Sequence, residues 1–284
     1  TAGGTSYNFT ATTGNCYRFR YTVKDAVGNA TTYTGTSVTK VDTTVPPTIN
    51  ITYTDGYNTS GTQNVTFSAT DGESGVTSLI PYYRTGTLTS GTCGSYGSWT
   101  SLGTQTSPYS HSMTNGNCYQ YYVLATNGAG LTNTSTQTPT PATKVSTTAP
   151  TVSGCSVAEG TNPGYQYQTG TTLYYNSAYT GNFAVTVTPT DTVAGIQKVN
   201  FPTLQTGFTP TSTDDTSSPY TQTYAWTTSA TTEPGAKNAT VTSNSGLTNT
   251  CGFTVTKDTT GPTSGSITYA TQYITSTSTK AALT

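Results

Sequence analysis

Residues that commonly carry hydrolytic chemistry are scarce in this sequence. His111 is the single histidine, and no recognisable nucleophile motif accompanies its Tyr-Ser-His-Ser segment. A hydrolytic triad needs a base that is paired with a nucleophile and oriented by a third group. Asp214 and Asp215 are adjacent, so in a strand their side chains point to opposite faces and form no glycosidase pair. We expect surface-loop positions for all three residues and no enzymatic activity.

Carboxylates recur at turns and beside proline-containing segments, which raises the question of a metal site. Ca²⁺ takes six or more oxygen ligands, and the middle segment carries Ser146 where the other two carry Asp. Asp side chains also cap turns by accepting backbone N–H groups. We expect turn capping, with no bound metal and no cofactor. The carboxylates concerned are Asp42, Asp71, Glu73, Asp191 and Asp258.

Aromatic residues provide the candidate ligand contacts. Tyrosines at alternating strand positions are explained by packing in a core, where the ring is buried and the hydroxyl finds a polar partner. Four aromatics fall outside that regular alternation: Tyr82, Tyr83, Tyr96 and Trp99. We interpret them as candidate contacts for a glycan or a protein.

Seven Asn-x-Ser/Thr sequons mark candidate N-glycosylation sites, which must lie at the surface. A threonine-rich chain also generates such sequons by chance. The acceptor residues are Asn8, Asn29, Asn50, Asn58, Asn64, Asn133 and Asn238.

Composition limits the classes of protein that the elements can build. Only 7% of the 284 residues are charged and the net charge is −1, so no basic field attracts nucleic acid or an anionic membrane. The apolar runs are a few residues long, too short for a membrane-spanning helix. The 22 tyrosines and abundant threonines favour pleated, half-buried surfaces. The composition predicts an all-β protein.

An internal repeat organises the chain. The segment that begins Cys16-Tyr-Arg-Phe-Arg recurs 102 residues later as Cys118-Tyr-Gln-Tyr-Tyr. Each copy leads to a Lys-Val-x-Thr-Thr-x-Pro signature, at residues 40–46 and 144–150, and a related signature spans residues 257–262. Self-similarity at a fixed offset indicates an array of like units. Units of this length suit a seven-stranded sandwich.

Alternation within the repeat predicts antiparallel strands. Tyr17, Phe19, Tyr21 and Val23 fall on one face of the first copy, and a period of two bounded by Gly, Asn and Asp is typical of a half-buried strand. The Asp-Ala-Val-Gly turn that ends at Gly28 joins two such strands, with Gly where a positive φ is needed. No window shows a convincing helical period.

These motifs together resemble those of bacterial immunoglobulin-like repeats of large cell-surface adhesins. The resemblance rests on the Gly-x-Cys-Tyr strand, the Asp-x-x-Gly-Asn and Asp-x-x-Ser-Gly-Val turns, and the Lys-Val-Asp-Thr-Thr-x-Pro signature. It implies tandem immunoglobulin-like antiparallel β-sandwich domains arranged end to end. The third unit departs from the pattern because it lacks Cys-Tyr before its late turn.

The repeat predicts four domain segments. Residues 1–46 form the C-terminal half of an Ig-like domain, residues 47–149 and 150–261 form complete domains, and residues 262–284 form the opening strands of a further one. We expect both ends to fall within domains. Either the native chain continues beyond them, or a neighbouring copy supplies the missing strands.

Five cysteines fit this division. Cys93 and Cys118 fall in one unit and form a natural pair, whereas Cys155 and Cys251 lie near the first and last strands of the next. The mate of Cys16 would precede Thr1. In the chain-entropy model the two bonds contribute about 3.5 and about 4.7 kcal/mol, respectively. Free buried thiols are the alternative. Disulfides would place the protein outside a reducing cytosol.

The expected function is that of a structural or adhesive extracellular repeat protein, which forms a stalk, sheath or filament on a microbial surface. Expected partners are further Ig-like repeats of the same polypeptide, other copies of the chain in a filament, surface glycans, and proteins of a host or neighbouring cell. Three alternatives remain open: a glycan- or protein-binding recognition module, accessory linker domains of a secreted enzyme, and a phage fibre.

Overall fold

The regular secondary structure of the described residues is almost entirely β-strand. A computed structural model describes residues 6–137, 140–210, 213–268 and 282–283. Within these ranges the one helical element is a 3₁₀ turn at Pro163–Tyr165, and no helix there is long and apolar enough to cross a membrane. The predicted all-β class is confirmed.

Twenty-six strands are described. The early strands are β1 (Cys16–Tyr17), β2 (Arg20–Lys24), β3 (Ala30–Thr34) and β4 (Thr39–Lys40). The middle strands are β5 (Thr48–Thr52), β6 (Gly56–Asn58), β7 (Thr62–Thr70), β8 (Val76–Thr89), β9 (Thr92–Cys93), β10 (Thr100–Ser101), β11 (Tyr109–Ser112), β12 (Asn117–Asn127), β13 (Thr132–Thr134) and β14 (Thr143–Val145). The later strands are β15 (Thr151–Glu159), β16 (Gln166–Thr169), β17 (Thr172–Tyr175), β18 (Gly181–Thr190), β19 (Ile196–Phe201), β20 (Phe208–Thr209), β21 (Thr213–Asp215), β22 (Tyr220–Trp226), β23 (Gly235–Ser243), β24 (Thr248–Lys257), β25 (Ile267–Thr268) and β26 (Ala282–Leu283).

The chain divides into two compact units. The first comprises residues 1–149 with the short segments Asp191–Gly195 and Ser243–Leu247. The second comprises residues 150–190, 196–242 and 248–284. Each unit contains one hydrophobic core.

The first sandwich spans residues 48–145. Its larger sheet has the strand order β10-β8-β12-β14-β6, with β9 beside β8 and β13 beside β12, and its smaller sheet has the order β11-β7-β5. Pairing is antiparallel except between β6 and β14, which run parallel. Both sheets contribute to one core, which is formed by Ile51, Tyr53, Val65, Phe67, Met113, Tyr119, Tyr121, Val123 and Val145.

Tyrosine fills much of that core, as the composition predicts. The Tyr53 hydroxyl donates to the carbonyl oxygen of Pro141 at 2.9 Å, and the Tyr119 hydroxyl accepts from the Thr114 amide at 2.8 Å. A buried hydroxyl without a partner would cost stability, so these bonds make tyrosine an acceptable core residue. Burial raises the pKa of Tyr53 to about 12, which keeps the hydroxyl protonated.

The second sandwich spans residues 151–257. A four-stranded sheet of order β15-β18-β22-β20 and a six-stranded sheet of order β16-β17-β24-β23-β19-β21 enclose one core. The parallel pair here is β17 with β24. Its largest fully buried side chains include Trp226, Tyr224, Phe183 and Phe253.

Residues 6–46 form two short ladders, β1 with β4 and β2 with β3. The predicted apolar face is present but exposed, with Phe19 52% and Tyr21 65% accessible. At the other end, β25 pairs with β26. Most of the predicted opening strands at residues 262–284 lie outside the described residues.

Candidate functional site: an aromatic groove, a polar joint and a parallel clamp

The first candidate site lies on the outer face of the larger sheet of the first sandwich. In β8 and β12, Tyr82 pairs with Tyr122 and Arg84 pairs with Gln120. Successive strand residues point to opposite faces, so these four side chains point away from the core that holds Tyr121. The rings of Tyr82 and Tyr122 stack with centroids 4.8 Å apart and planes within 3°.

Trp99 completes the aromatic surface from a segment that is not itself a strand. The Cys93–Cys118 disulfide, with a Cα separation of 5.8 Å, ties the start of this segment to β12. The Gly97 amide then donates to the Thr85 carbonyl at 2.9 Å. A Cβ on Gly86 would lie 2.9 Å from the Gly94 carbonyl oxygen, so this close crossing requires glycine.

Arg84 contacts both a polar side chain and the aromatic rings. Its Nε and Nη2 donate to Gln120 Oε1 at 3.0 and 2.7 Å. The guanidinium carbon lies 4.5 Å from the ring centroid of Trp99 and 5.1 Å from that of Tyr96. Arg84 and Trp99, with residues of β12 and of one more segment, line a groove of about 480 Å³, called the aromatic groove below. Its lining is Arg84, Trp99, Tyr121, Tyr122, Thr134, Ser135, Thr136, Gln137 and Thr140.

The structure brings Tyr82, Tyr96 and Trp99 to this face, but not Tyr83. Tyr83 lies on the inward side of β8, with its ring 4.6 Å from His111 and 6.0 Å from Tyr119. Sequence reasoning missed the remaining contributors, Arg84, Gln120 and Tyr122. The period of two along β8 would have placed Tyr82 and Arg84 together, but it gives no cross-strand register.

The second candidate site is the polar joint around residues 40–46. Asn127 is 1% exposed. Its side-chain amide nitrogen donates to Asp42 Oδ2 at 2.9 Å and to the Thr44 carbonyl oxygen at 2.8 Å. It also lies 3.1 Å from Asp71 Oδ2. Its oxygen accepts the backbone amides of Ala129 and Leu131 at 3.1 and 2.8 Å. One buried amide thus holds both the signature segment and its own turn.

Hydrogen bonds stabilise the charged form of the joint carboxylates. The Ser74 hydroxyl and the Thr44 amide lower the pKa of Asp42. Partial burial raises the pKa of Asp71, but hydrogen bonds from Asn127 and Ser74 outweigh it and the pKa is lowered. Glu73 accepts hydroxyl bonds from Thr13 and Thr44.

The other candidate carboxylates cap turns. Asp191 Oδ1 accepts the amides of Val193 and Ala194 at 2.9 and 2.8 Å. Asp258 Oδ1 accepts the Thr260 amide at 3.1 Å, as Asp42 Oδ1 accepts that of Thr44 at 2.9 Å. Across the described residues, no group of three or more His, Cys, Asp or Glu side chains is arranged to hold a metal ion.

The third feature is the parallel strand pair of each sandwich, called the parallel clamp below. In the first, Gly56, Tyr57 and Asn58 align with Thr143, Lys144 and Val145. The ladder is extended at both ends, by Gly56 N to Ala142 O at 3.0 Å and by Ser146 N to Asn58 O at 3.1 Å. In the second sandwich, β17 aligns with the last four residues of β24, which end at Lys257. Both late strands lead directly into a signature segment.

The disulfides and the free thiol lie at defined places. Cys155 and Cys251 join β15 to β24 with a Cα separation of 5.7 Å. Both this separation and that of the Cys93–Cys118 pair fall within the range that disulfides span. Cys16 is free and exposed.

The residues considered for catalysis occupy strands rather than the surface loops expected. His111 lies in β11, is 9% exposed, and its Nδ1 is 2.9 Å from the Tyr121 hydroxyl; burial lowers its pKa. Asp214 pairs with Lys198 at 2.8 Å. Asp215 accepts the amides of Ser217 and Thr221. Their contacts are structural.

Three of the seven sequon side chains are engaged. Asn58 donates to the Thr62 carbonyl at 2.8 Å, Asn133 to the Pro46 carbonyl at 3.0 Å, and Asn29 to Asp25 Oδ2 at 2.7 Å. The other four acceptor residues are exposed: Asn8, Asn50, Asn64 and Asn238.

Comparison with known proteins gives only distant structural likeness. No protein-family model matches the chain, and no curated protein matches it. Among solved structures, the chicken CNTN1 FN1-FN3 domains are 13% identical, with a TM-score of 0.32, over 85% of this chain and 78% of theirs. A structure of a 1.5-MDa bacterial ice-binding adhesin is 15% identical, with a TM-score of 0.34, over 84% of this chain and 74% of its own. Trypsin-activated alpha-2-macroglobulin from Escherichia coli is 10% identical, with a TM-score of 0.25, over 86% of this chain and 19% of its own.

Proposed function

We propose that this chain is part of a structural, adhesive repeat protein that carries tension on a microbial surface. In this proposal residues 47–149 and 150–261 are complete Ig-like domains in tandem. Residues 1–46 and 262–284 belong to the flanking domains. Further repeats of the same polypeptide are then its main partners.

The parallel clamp carries the proposal. Tension that enters at the start of the first sandwich loads β5, which is paired with β7. Once β5 yields, the tension pulls β6 from its N-terminal side and β14 from its C-terminal side. Because these strands are parallel, such tension slides one along the other. All ladder hydrogen bonds then resist at once, whereas an unzipping load would break them one at a time. The second sandwich also pairs two strands in parallel, β17 with β24. Its Cys155–Cys251 disulfide joins β15 to β24 and carries an end-to-end load past β17.

Short and anchored connections suit the same role. The signature prolines Pro46 and Pro150 are buried, and each carbonyl oxygen accepts a bond from an Asn side chain of its own sandwich. Proline fixes φ and restricts the residue before it, which limits flexing at the connection. A loosely tethered enzyme domain would not need such anchors.

The setting in the proposal is extracellular. Two disulfides in domains with few aliphatic core residues are typical of an oxidising compartment. Labelling intact cells with a membrane-impermeant amine reagent checks the location: the chain should be labelled without lysis.

Loading direction in single-molecule pulling tests the function. Pulling on the first sandwich through its two ends shears the clamp. Pulling through cysteine handles at the exposed Thr59 and Thr147, which directly follow the last ladder bond between Ser146 N and Asn58 O, unzips it. We expect an unfolding force several times higher in the first geometry. Equal forces in the two geometries would contradict a role in bearing tension. Thermal unfolding of the handle variant serves as the control for folding.

A further inference from the structure

The aromatic groove has an exposed ring that the sandwich does not need for its core. Trp99 is 36% accessible, and among the described residues between 47 and 149 it is the one large apolar side chain with such exposure. Its position is fixed from both sides, by the Cys93–Cys118 disulfide before it and by the pairing of Thr100 with Tyr83 after it. A ring that is held rigidly and left accessible loses little conformational entropy when a ligand covers it.

The groove also contains a cation without a carboxylate partner. The ion pair in the described part of the chain joins Lys198 and Asp214 of the second sandwich and does not include Arg84. Two N–H groups of Arg84 donate to Gln120 Oε1, so part of its five-donor fork stays available. Arginine recognises carboxylates in a planar, bidentate geometry.

The opposite wall presents the exposed Thr134 and Thr136, followed by Gln137. Ser135 between them is buried, and its hydroxyl oxygen accepts the Val123 amide at 3.0 Å. Gln137 donates from Nε2 to the Ile51 carbonyl at 2.9 Å, while its Oε1 is buried without a recorded partner in the described residues. Hydroxyl and amide groups of this kind exchange hydrogen bonds readily with a polyhydroxylated ligand. The volume of about 480 Å³ suits one or two sugar rings and falls within the usual range of small-molecule sites.

We propose that the aromatic groove binds a carboxylate-bearing pyranose of an acidic glycan. The apolar face of the sugar ring packs against Trp99, its carboxylate pairs with Arg84, and its hydroxyl groups bond to the wall at residues 134–137. Gln120 acts as a positioning residue, because it orients the guanidinium. The Cys93–Cys118 bond positions Trp99 in the same way. This inference goes beyond the structural role proposed above and does not depend on it.

A glycan array that carries matched neutral and carboxylated pyranosides tests the proposal with the full chain. We expect binding to carboxylated members, and titration of a bound member should protect Trp99 from acrylamide quenching while Trp226, 1% exposed, stays unaffected. Trp99→Ala should weaken binding about tenfold or more. Arg84→Gln should remove the preference for the carboxylated member of each pair.

Matched variants separate loss of the site from loss of the fold. Tyr167→Ala removes a ring that is 63% exposed in the other unit and should leave glycan binding unchanged. Each variant must keep the wild-type melting temperature and the Cys93–Cys118 bond. Binding to no glycan, equal binding by Trp99→Ala, or tighter binding of neutral than of carboxylated members would overturn the proposal. None of these outcomes alters the force measurements, so the structural role is judged separately.

Discussion

Asn133 reaches back 87 residues to donate a 3.0 Å hydrogen bond to the carbonyl oxygen of Pro46. The same relationship recurs in the second sandwich, where Asn249 donates to the carbonyl oxygen of Pro150 at 2.9 Å. Each bond joins the start of the first strand of a sandwich to a late strand. Both asparagines end the four-residue motif Gly-Leu-Thr-Asn, at residues 130–133 and 246–249.

Removing this bond should destabilise the sandwich. Asn133→Ala leaves the carbonyl of a buried proline without its partner, and we expect a loss of about 1–2 kcal/mol in the free energy of unfolding. Urea unfolding at equilibrium measures it. Asn50→Ala, at an exposed position of β5, is the matched control and should change stability by less than about 0.5 kcal/mol. Similar losses for the two variants would show that the anchor contributes nothing.

Side-chain hydrogen bonds of the acceptor asparagines predict which sequons carry glycans in the folded protein. A glycan on Asn29, Asn58 or Asn133 would replace an amide hydrogen that is engaged within the fold. Asn29 is exposed as well, so engagement rather than exposure distinguishes it. After secretion from a glycosylating host, we expect occupancy to be highest at the exposed acceptors outside this engaged group, which are Asn8, Asn50, Asn64 and Asn238. Glycopeptide mass spectrometry of the folded fraction reports occupancy, and full modification of Asn133 there would refute the expectation.

The joint around residues 40–46 should respond to acid. Ser74 and Thr44 lower the pKa of Asp42, so its contribution to stability is fully present above the unfolded pKa of about 3.9. That contribution is lost as the pH falls through the lower folded pKa. Ser74→Ala removes the largest cause and should raise the pKa of Asp42 toward its ordinary value. Carboxyl ¹³C titration by NMR measures the shift; an unchanged titration curve in the variant would be the contrary result.

Chelation should leave the joint intact. The amide of Asn127 and the hydroxyl of Ser74 supply the donors that the carboxylates need, so EDTA should not change the melting temperature. Asn127→Asp replaces this donor by a carboxylate beside Asp42 and Asp71, and like charges at close range are unfavourable. We expect the melting temperature to fall by about 5 °C, equivalent to about 1 kcal/mol for a domain of this size. Asn127→Ser, which introduces the residue type found at the corresponding Ser243, should cost less. A large drop on adding EDTA to the wild type would instead indicate a bound cation.

Sequence periodicity predicted the strands better than it predicted the site. In the copy of the repeat that begins at Cys118, the alternating residues Tyr119, Tyr121 and Val123 lie in the core, because a half-buried strand shows its inner face every second residue. His111 was expected in a surface loop, yet the sandwich buries it against Tyr121, and burial depends on the opposite sheet rather than on local sequence.

The aromatic groove depends on information that one strand does not carry. Arg84 meets Gln120 through the register of β8 with β12, which is set by contacts across the whole sheet. Trp99 contacts Arg84 from an irregular segment. The Cys93–Cys118 disulfide and the hydrogen bonds of the Gly94 and Gly97 amides to β8 hold this segment in place. No periodic pattern marks such a segment. The repeated Gly-Leu-Thr-Asn motif was visible in the sequence and would have pointed to the proline anchors.

The central claim is that separate sandwich domains bear tension along the chain. It predicts that the extension of the chain under force depends on whether the Cys155–Cys251 disulfide is formed. Cys155 and Cys251 are 96 residues apart and connect β15 to β24. A load therefore passes across the disulfide and leaves the residues between them folded. The Cys93–Cys118 bond encloses only 25 residues, so most of the first sandwich remains extensible.

Single-molecule force–extension of the oxidised chain, compared with a Cys155→Ala/Cys251→Ala variant of confirmed thermal stability, is the most direct test. Forced unfolding reports the rate of crossing the unfolding barrier of each domain, and released chain adds up to about 3.5 Å per residue. The oxidised chain should show one main event of roughly 27 nm, from about 80 released residues. In the variant the second sandwich should unfold in a separate event. The extension released in that event should exceed, by about 33 nm, the extension that the second sandwich can release with its disulfide intact. A single cooperative event covering both sandwiches, or the same extension in the oxidised chain and the variant, would contradict the account.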